Sequence, residues 1–235
     1  MASPDGVDEE PAFRAPLVVL ALLTLTAGFA DGYALTRYGV FVANQSGNIV
    51  HVGMGLVGQD PLWRLSLIAV FGFAVGGSLA WIIARLSLTH EWSVIRTRLL
   101  GGAALVLVWW VIVALLPSGE ELGLVSSFMG AVAMGVTATA LTRVAGVQAQ
   151  TSFQSGTVLR SAEALMDWAA SAGRESAGRT LAMVGLIAVL AYAAGGAVGA
   201  LAESTLHRHA VLLALVPIVV ALVLARGRDR DGKHG

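Results

Sequence analysis

The sequence predicts an all-α integral membrane protein of six transmembrane helices. They are arranged as two inverted three-helix repeats, each with a short re-entrant or broken helix. Three observations predict it: the composition, the spacing of the apolar stretches, and a likeness between the two halves. Of 235 residues, 56 % are hydrophobic and 13 % charged, with a mean hydropathy of +0.76. Soluble domains carry about 25 % charged residues, so this chain cannot solvate a globular surface. An ordinary soluble enzyme, a disordered chain and a basic nucleic-acid binder are excluded. With no cysteine, disulfides, thiolate metal sites and cysteine nucleophiles are excluded too.

A helix needs about 20 apolar residues to cross the hydrocarbon core. Six stretches have that character: Leu17–Thr36, Leu65–Ala84, Leu99–Leu116, Leu122–Thr142, Leu181–Ala202 and Ala210–Ala225. The last contains Pro217, where a kink is expected. Residues 1–16 hold Asp5, Asp8, Glu9 and Glu10 against Arg14 and read as a disordered acidic tail; residues 226–235 form a basic tail. The acidic start argues against a cleaved signal peptide.

Two semi-polar segments remain, Val42–Gly58 and Thr151–Trp168. If both cross, there are eight spans. Cytoplasmic loops hold the excess of Lys and Arg. With six spans and both termini cytoplasmic, 12 of the 15 cationic residues lie inside; outside are Arg37, Arg64 and Arg208. Eight spans would erase most of that bias. Six are therefore predicted, with repeat 1 over residues 17–116 and repeat 2 over 117–225.

The halves match in order. Ala34-Leu35-Thr36-Arg37, Gly39-Val40 and Gln45-Ser46-Gly47-Asn48 are answered by Ala140-Leu141-Thr142-Arg143, Gly146-Val147 and Gln154-Ser155-Gly156-Thr157. Phe73-x-x-Gly76-Gly77 is answered by Tyr192-x-x-Gly195-Gly196. The matches include the rarer Gln, Arg and Ser. Three spans per repeat force the second copy to enter from the opposite face, as in many secondary transporters.

A helix from Ser46 to Gly58 would be about 20 Å long, too short to cross. Such a half-helix is tolerated where protein or a wet cavity covers its ends. Two half-helix N-termini meeting from opposite sides would favour an anionic or polar group. The candidate substrate-binding residues are Asn44, Ser46, Gly47, Asn48, Gln154, Ser155, Gly156 and Thr157. The plain alternative is a pair of locally capped polar loops.

Asp31 lies within the first span, aligned with Thr137. An intramembrane carboxylate is a functional candidate by default, so Asp31 is assigned to coupling or gating; a structural pairing with Arg37 is its alternative. Arg37, Arg143 and His51 join it as coupling or gating candidates. Snorkelling is the simpler role for the two arginines, and local satisfaction the simpler one for His51. No metal-ligand pattern and no nucleophile–base motif is visible, so neither an enzyme nor a cofactor is expected. Gly28-xxx-Gly32, Gly72-xxx-Gly76 and Gly195-xxx-Gly199 predict close helix packing.

The segment Ala27-Gly28-Phe29-Ala30-Asp31, followed by Gly39-Val40-Phe41-Val42-Ala43-Asn44-Gln45-Ser46-Gly47-Asn48, resembles the YoaK-like family of bacterial membrane proteins. The likeness covers about residues 17–225. That family shows Gly-Phe-x-Asp and Gly-Val-Phe-Val-x-Asn-x-Thr-Gly-Asn; here Ser46 stands for the threonine. The family's usual Gly-x-Gln-Asn in the fourth span is replaced by Gly135-Val136-Thr137-Ala138. The family is a domain of unknown function, so the resemblance implies a polytopic bacterial inner-membrane protein.

The leading functional expectation is a transporter or permease for a small polar or anionic solute bound at the repeat interface. The alternative is a non-transporting assembly or sensor subunit whose polar motifs are structural. Expected partners are the lipid bilayer, such a solute and a further copy of the chain in a homo-oligomer; no nucleic acid is expected.

Overall fold

The computed structural model describes residues 15–86, 91–140, 143–144, 147–148, 154–171 and 176–224. Nearly all of the two tails, 1–16 and 226–235, lies outside the described residues. The rest forms eight α-helices: α1 Pro16–Tyr38, α2 Gln45–Leu56, α3 Trp63–Leu86, α4 Glu91–Leu115, α5 Glu120–Ala138, α6 Gln154–Ala170, α7 Ser176–Leu206 and α8 Leu215–Leu224. A 3₁₀ segment, His207–Ala214, leads into α8, and β1 (Arg143–Val144) pairs antiparallel with β2 (Val147–Gln148).

Among the described residues, five stretches are long and apolar enough to cross a membrane: Pro16–Tyr38, Trp63–Arg85, Ile95–Leu115, Glu120–Ala138 and Gly178–Leu224. The fifth has 47 residues and joins two stretches that the sequence reads separately. Within it, His207 adopts φ 50°, a left-handed conformation that ends α7. The kink expected at Pro217 is instead a change from 3₁₀ to α-helix at Leu215. Pro217 then sits in the first turn of α8, where its missing N–H costs little. The fourth span stops at Ala138, four residues short of Thr142, and α4 starts at Glu91, eight residues before Leu99.

Packing follows the glycines. A Cβ on Gly28 or Gly32 would overlap the carbonyl oxygens of Tyr192 and Gly196, and one on Gly195 or Gly199 those of Leu25 and Phe29. Both series ascend together, so α1 and α7 run parallel with their backbones in close contact. The α3–α5 crossing is built alike: Gly72 and Gly76 face Phe128 and Val132, and Gly135 faces Phe73. Gly123 near the start of α5 lies against Tyr38 at the end of α1. Gly130 lies against Val42, whose N–H is bonded to Asp31. Here the numbers run in opposite senses, and α5 is antiparallel to α1. Helices α1 and α5 are the enclosed ones, each 67 % buried across its apolar window, against 22–28 % for the other three stretches.

The short helices lie along their successors. Gly55 of α2 meets Trp63 of α3. Gly178 and Gly185 of α7 meet Trp168 and Ser161 of α6, so α6 folds back along the first half of α7.

Candidate functional site

The densest polar assembly in the membrane-like part of the chain is centred on Asp31, which is 3 % exposed. Gly39 takes φ 75° and ends α1; a side chain is strained there, and the chain turns back toward the helix it has left. This return places three consecutive amides against one carboxylate. Val42 and Ala43 donate to Asp31 Oδ1 at 2.7 Å each, and Asn44 donates to Oδ2 at 2.9 Å. From the other half, the Tyr192 hydroxyl of α7 donates to Oδ2. Charge-assisted bonds of this kind are about twice as strong as neutral ones. The anionic group attracted to the start of α2 is thus the protein's own side chain.

The remaining polar residues of the motif close on one another. Phe41 N–H donates to Asn48 Oδ1 at 3.1 Å, while Asn48 Nδ2 donates to the Phe41 carbonyl at 2.6 Å and to Gln45 Oε1 at 2.8 Å. Gln45 Nε2 donates to the Val42 carbonyl, and Ser46 Oγ to Asn44 Oδ1. Asn48 is fully buried, whereas Ser46 is exposed. Gly47 packs beneath the Phe41 ring. Asn44 occupies the N-cap position of α2 without a side-chain cap bond.

His51 is not alone. Its Nδ1 contacts Asp60 Oδ2 in the α2–α3 turn, and Asp60 Oδ1 accepts from Leu62 N–H at 2.7 Å. The imidazole and this amide hold the Asp60 carboxyl below the usual carboxylate range. Arg37 does not reach Asp31. It pairs with Glu203 near the end of α7 at 2.8 Å, and its Nε donates to the Tyr38 hydroxyl. The expected alternative, an Asp31–Arg37 pair, is replaced because backbone amides already saturate the carboxylate.

The second-half residues lie elsewhere. Ser155, Gly156 and Thr157 form the first turn of α6 after Gln154, with Ser155 exposed and Thr157 against Gly185. Arg143 lies in β1. Helix α2 packs on α3 and α6 on α7. Asp31 and the start of α2 are level with Tyr192, while the start of α6 is level with Gly185. Seven residues separate the two, about 10 Å along the axis. Among the described residues, no hydrogen bond joins the start of α2 to the start of α6. Thr137, the expected partner position of Asp31, donates its hydroxyl to the Ala133 carbonyl of its own helix.

Three partners escaped the sequence reading: Tyr192, Asp60 and Glu203. Tyr192 replaces Phe73 at the matched repeat position, and the added hydroxyl was the available signal. Glu203 lies one residue beyond the expected span. Asp60 stands in a Gln-Asp-Pro turn, where a carboxylate accepts a nearby N–H. Among the described residues no group of three His, Asp or Glu side chains gathers to hold a metal.

A family model described as a protein of unknown function, DUF1275, matches residues 19–224. The chain belongs to the DUF1275 family. The YoaK-like proteins fall within that family, in agreement with the motif Gly39–Asn48. The matched DUF1275 region takes in every described helix except the first three residues of α1. No curated protein and no solved structure matches the chain.

Proposed function

We propose that this DUF1275 protein is a transporter or permease for a small polar or anionic solute. It would be built from two inverted halves that cross the bacterial cytoplasmic membrane six times, with both termini inside. The exchange of partners between the halves carries this reading. Helix α1 packs parallel to α7, and α5 packs parallel to α3. Gly28 and Gly135 meet the carbonyls of Tyr192 and Phe73, and Gly195 and Gly76 meet those of Leu25 and Val132. Each contact is the repeat equivalent of the other, with α1 and α5 pointing in opposite senses, as inverted repeats require. The directions alternate correctly if α7 crosses and α8 returns, which agrees with the 12-to-3 Lys/Arg distribution. In this register the counterpart of Asp31 is Ala138, one residue from the position the sequence alignment chose.

In this reading Asp31 gates. It ties the start of a half-helix to one half of the molecule and Tyr192 to the other, so moving the halves apart must break that tie. Arg37 and His51 steady the same end through Glu203 and Asp60, and no catalytic step is assigned. A second reading is favoured by one observation: the Phe41–Asn48 network satisfies itself, as a scaffold motif would. It makes the protein a non-transporting assembly or sensor subunit. Purified protein in liposomes, challenged with panels of neutral solutes, amino acids and carboxylates, separates the two. Flux that Asp31→Asn abolishes while the variant still inserts supports transport with gating. No flux of any solute by folded protein supports the scaffold.

A further inference from the structure

The two enclosed helices carry a polarity that enclosure alone does not explain. Of the nine buried polar residues described, six lie on α1 and α5: Thr24, Thr26, Asp31, Ser126, Ser127 and Thr137. Polar groups at membrane depth are costly and face the bundle interior or a wet path.

They fall into register. Thr24, Asp31 and Tyr38 are spaced seven apart and share one face of α1; Gly123, Gly130 and Thr137 repeat the spacing on α5, with Ser127 about 40° from that line. The two faces meet. A Cβ on Gly123 would lie 3.9 Å from Tyr38 Cδ1, and one on Gly130 would lie 3.1 Å from Val42 Cγ1. Tyr38 is therefore level with Gly123 and Asp31 with Gly130, and the same antiparallel step sets Thr24 level with Thr137.

Two aliphatic hydroxyls of these helices, Thr24 Oγ1 and Ser127 Oγ, have no hydrogen-bond partner among the described residues, and both residues are wholly buried. Thr26 and Thr137 return their protons to their own helix backbone; these two do not. Each orphan carries an uncompensated desolvation cost that water or a solute in the seam removes. Ser127 lies about one turn to one side of the Asp31 level and Thr24 about two turns to the other, roughly 15 Å apart along the axis. Between them sits Val42, fully buried, wedged against Gly130 and held by its N–H to Asp31.

Little charge is left to offer. Asp31 is saturated by three amides and a hydroxyl. At the ends, Arg37 is committed to Glu203, and Arg98 donates through Nη1 to the Thr139 carbonyl at 2.6 Å, with its Nε the one buried cationic donor left without a partner among the described residues. We propose that the α1–α5 seam is the path of a small uncharged hydrogen-bonding solute of the glycerol or urea class, with Thr24 and Ser127 as its polar stations and Val42 as the plug between them. The proposal rests on the transport reading above and narrows it from polar or anionic to uncharged.

The chain has no cysteine, so single Thr24→Cys and Ser127→Cys variants report directly on the seam. In proteoliposomes, a membrane-impermeant cationic methanethiosulfonate is expected to modify Ser127→Cys from one side and Thr24→Cys from the other. Modification of either should block glycerol and urea flux measured by light scattering, and Val42→Ala should raise that flux several-fold. If both cysteines stay unmodified while one introduced at exposed Gln59 reacts, the seam is dry and the proposal is overturned, whatever the flux. Flux of a carboxylate that ignores both modifications leaves the transport reading standing and overturns the seam. No flux of any solute by wild type or by Val42→Ala overturns both.

Discussion

Replacing Asp31 by Asn tests whether one carboxylate holds the start of α2. The change keeps the shape and removes half the chemistry. An amide oxygen at the Oδ1 position still accepts from Val42 and Ala43, which approach at 2.7 Å. At the Oδ2 position the new –NH₂ confronts the Asn44 N–H, a donor facing a donor, while Tyr192 can rotate its hydroxyl to accept. One buried donor is left unsatisfied, at about 1–3 kcal/mol, and the surviving bonds lose their charge assistance, at about 1 kcal/mol more. Together these predict a loss of about 2–4 kcal/mol. For a chain of this length that corresponds to roughly 4–16 °C in Tm.

Asp31→Leu is harsher. It strands three amides and a hydroxyl at once, at about 4 kcal/mol or more, a large part of a typical total of 5–15 kcal/mol; that variant is expected not to accumulate. The assay is thermal unfolding of wild type and Asp31→Asn in detergent or nanodiscs, followed by tryptophan fluorescence. It is paired with amide hydrogen exchange over residues 40–45. Exchange at Asn44 should accelerate most, because its amide loses its acceptor outright. A double-mutant cycle with Tyr192→Phe should show coupling, since the two side chains share a bond. An Asp31→Asn variant with unchanged Tm and unchanged exchange at Val42, Ala43 and Asn44 would refute the reasoning, because the amides would then be held by something other than the carboxylate.

Other perturbations follow from the same geometry. Gly28→Val and Gly195→Val should abolish accumulation of folded protein on size-exclusion chromatography, because each places a side chain into the facing backbone. Gly53→Ala and Gly77→Ala meet nothing within 4 Å and should leave Tm unchanged or raise it, by up to about 1 kcal/mol of helix propensity. Arg37→Ala and Glu203→Gln each break an ion pair whose side chains are 18 % and 14 % exposed. Each should cost up to about 3 kcal/mol in thermal unfolding, and the double variant should cost less than the sum. Asp60 is held below its ordinary pKa by His51 and the Leu62 amide. Its stabilising effect is thus present above the unfolded carboxylate pKa of about 4 and is lost as pH falls through the lower folded value. The Tm difference between wild type and Asp60→Asn should accordingly shrink as pH falls below about 4.

What the sequence made legible divides by the kind of partner involved. Asp31 stood out because an isolated carboxylate in an apolar run has few explanations. The Gln-Ser-Gly segments stood out because they were too polar and too short to cross. Both became short helices at the expected places, α2 and α6, within a few residues. The nature of Asp31's partners did not show. Three of the four are backbone amides, which every residue except proline carries; no residue type at 42, 43 or 44 announces that its N–H faces a carboxylate. The signal lay one step away, in Gly39, whose left-handed turn sends the chain back over α1. Glu203 and Tyr192 failed to show for a different reason: each lies more than 160 positions from its partner, and only the parallel packing of α1 on α7 brings them together.

That same packing bears on the mechanism. Gly28 and Gly32 allow α7 to approach until the Tyr192 hydroxyl reaches Asp31, so the glycine stripe and the carboxylate are one device rather than two. A helix pair that is close only because its side chains are absent can separate without unlocking any interdigitated side chains. Two polar ties cross it, Tyr192 to Asp31 and Arg37 to Glu203, and the first bears on the same carboxylate that holds the loop carrying Val42. Helices α3 and α5 cross through the same glycine pattern, but with Phe73 where α7 has Tyr192 and Ala138 where α1 has Asp31. One crossing between the halves is therefore tied by polar contacts and the other by packing. Under the transport reading proposed above, that asymmetry would make the α1–α7 side the gate, and Tyr192→Phe the mildest change that loosens it.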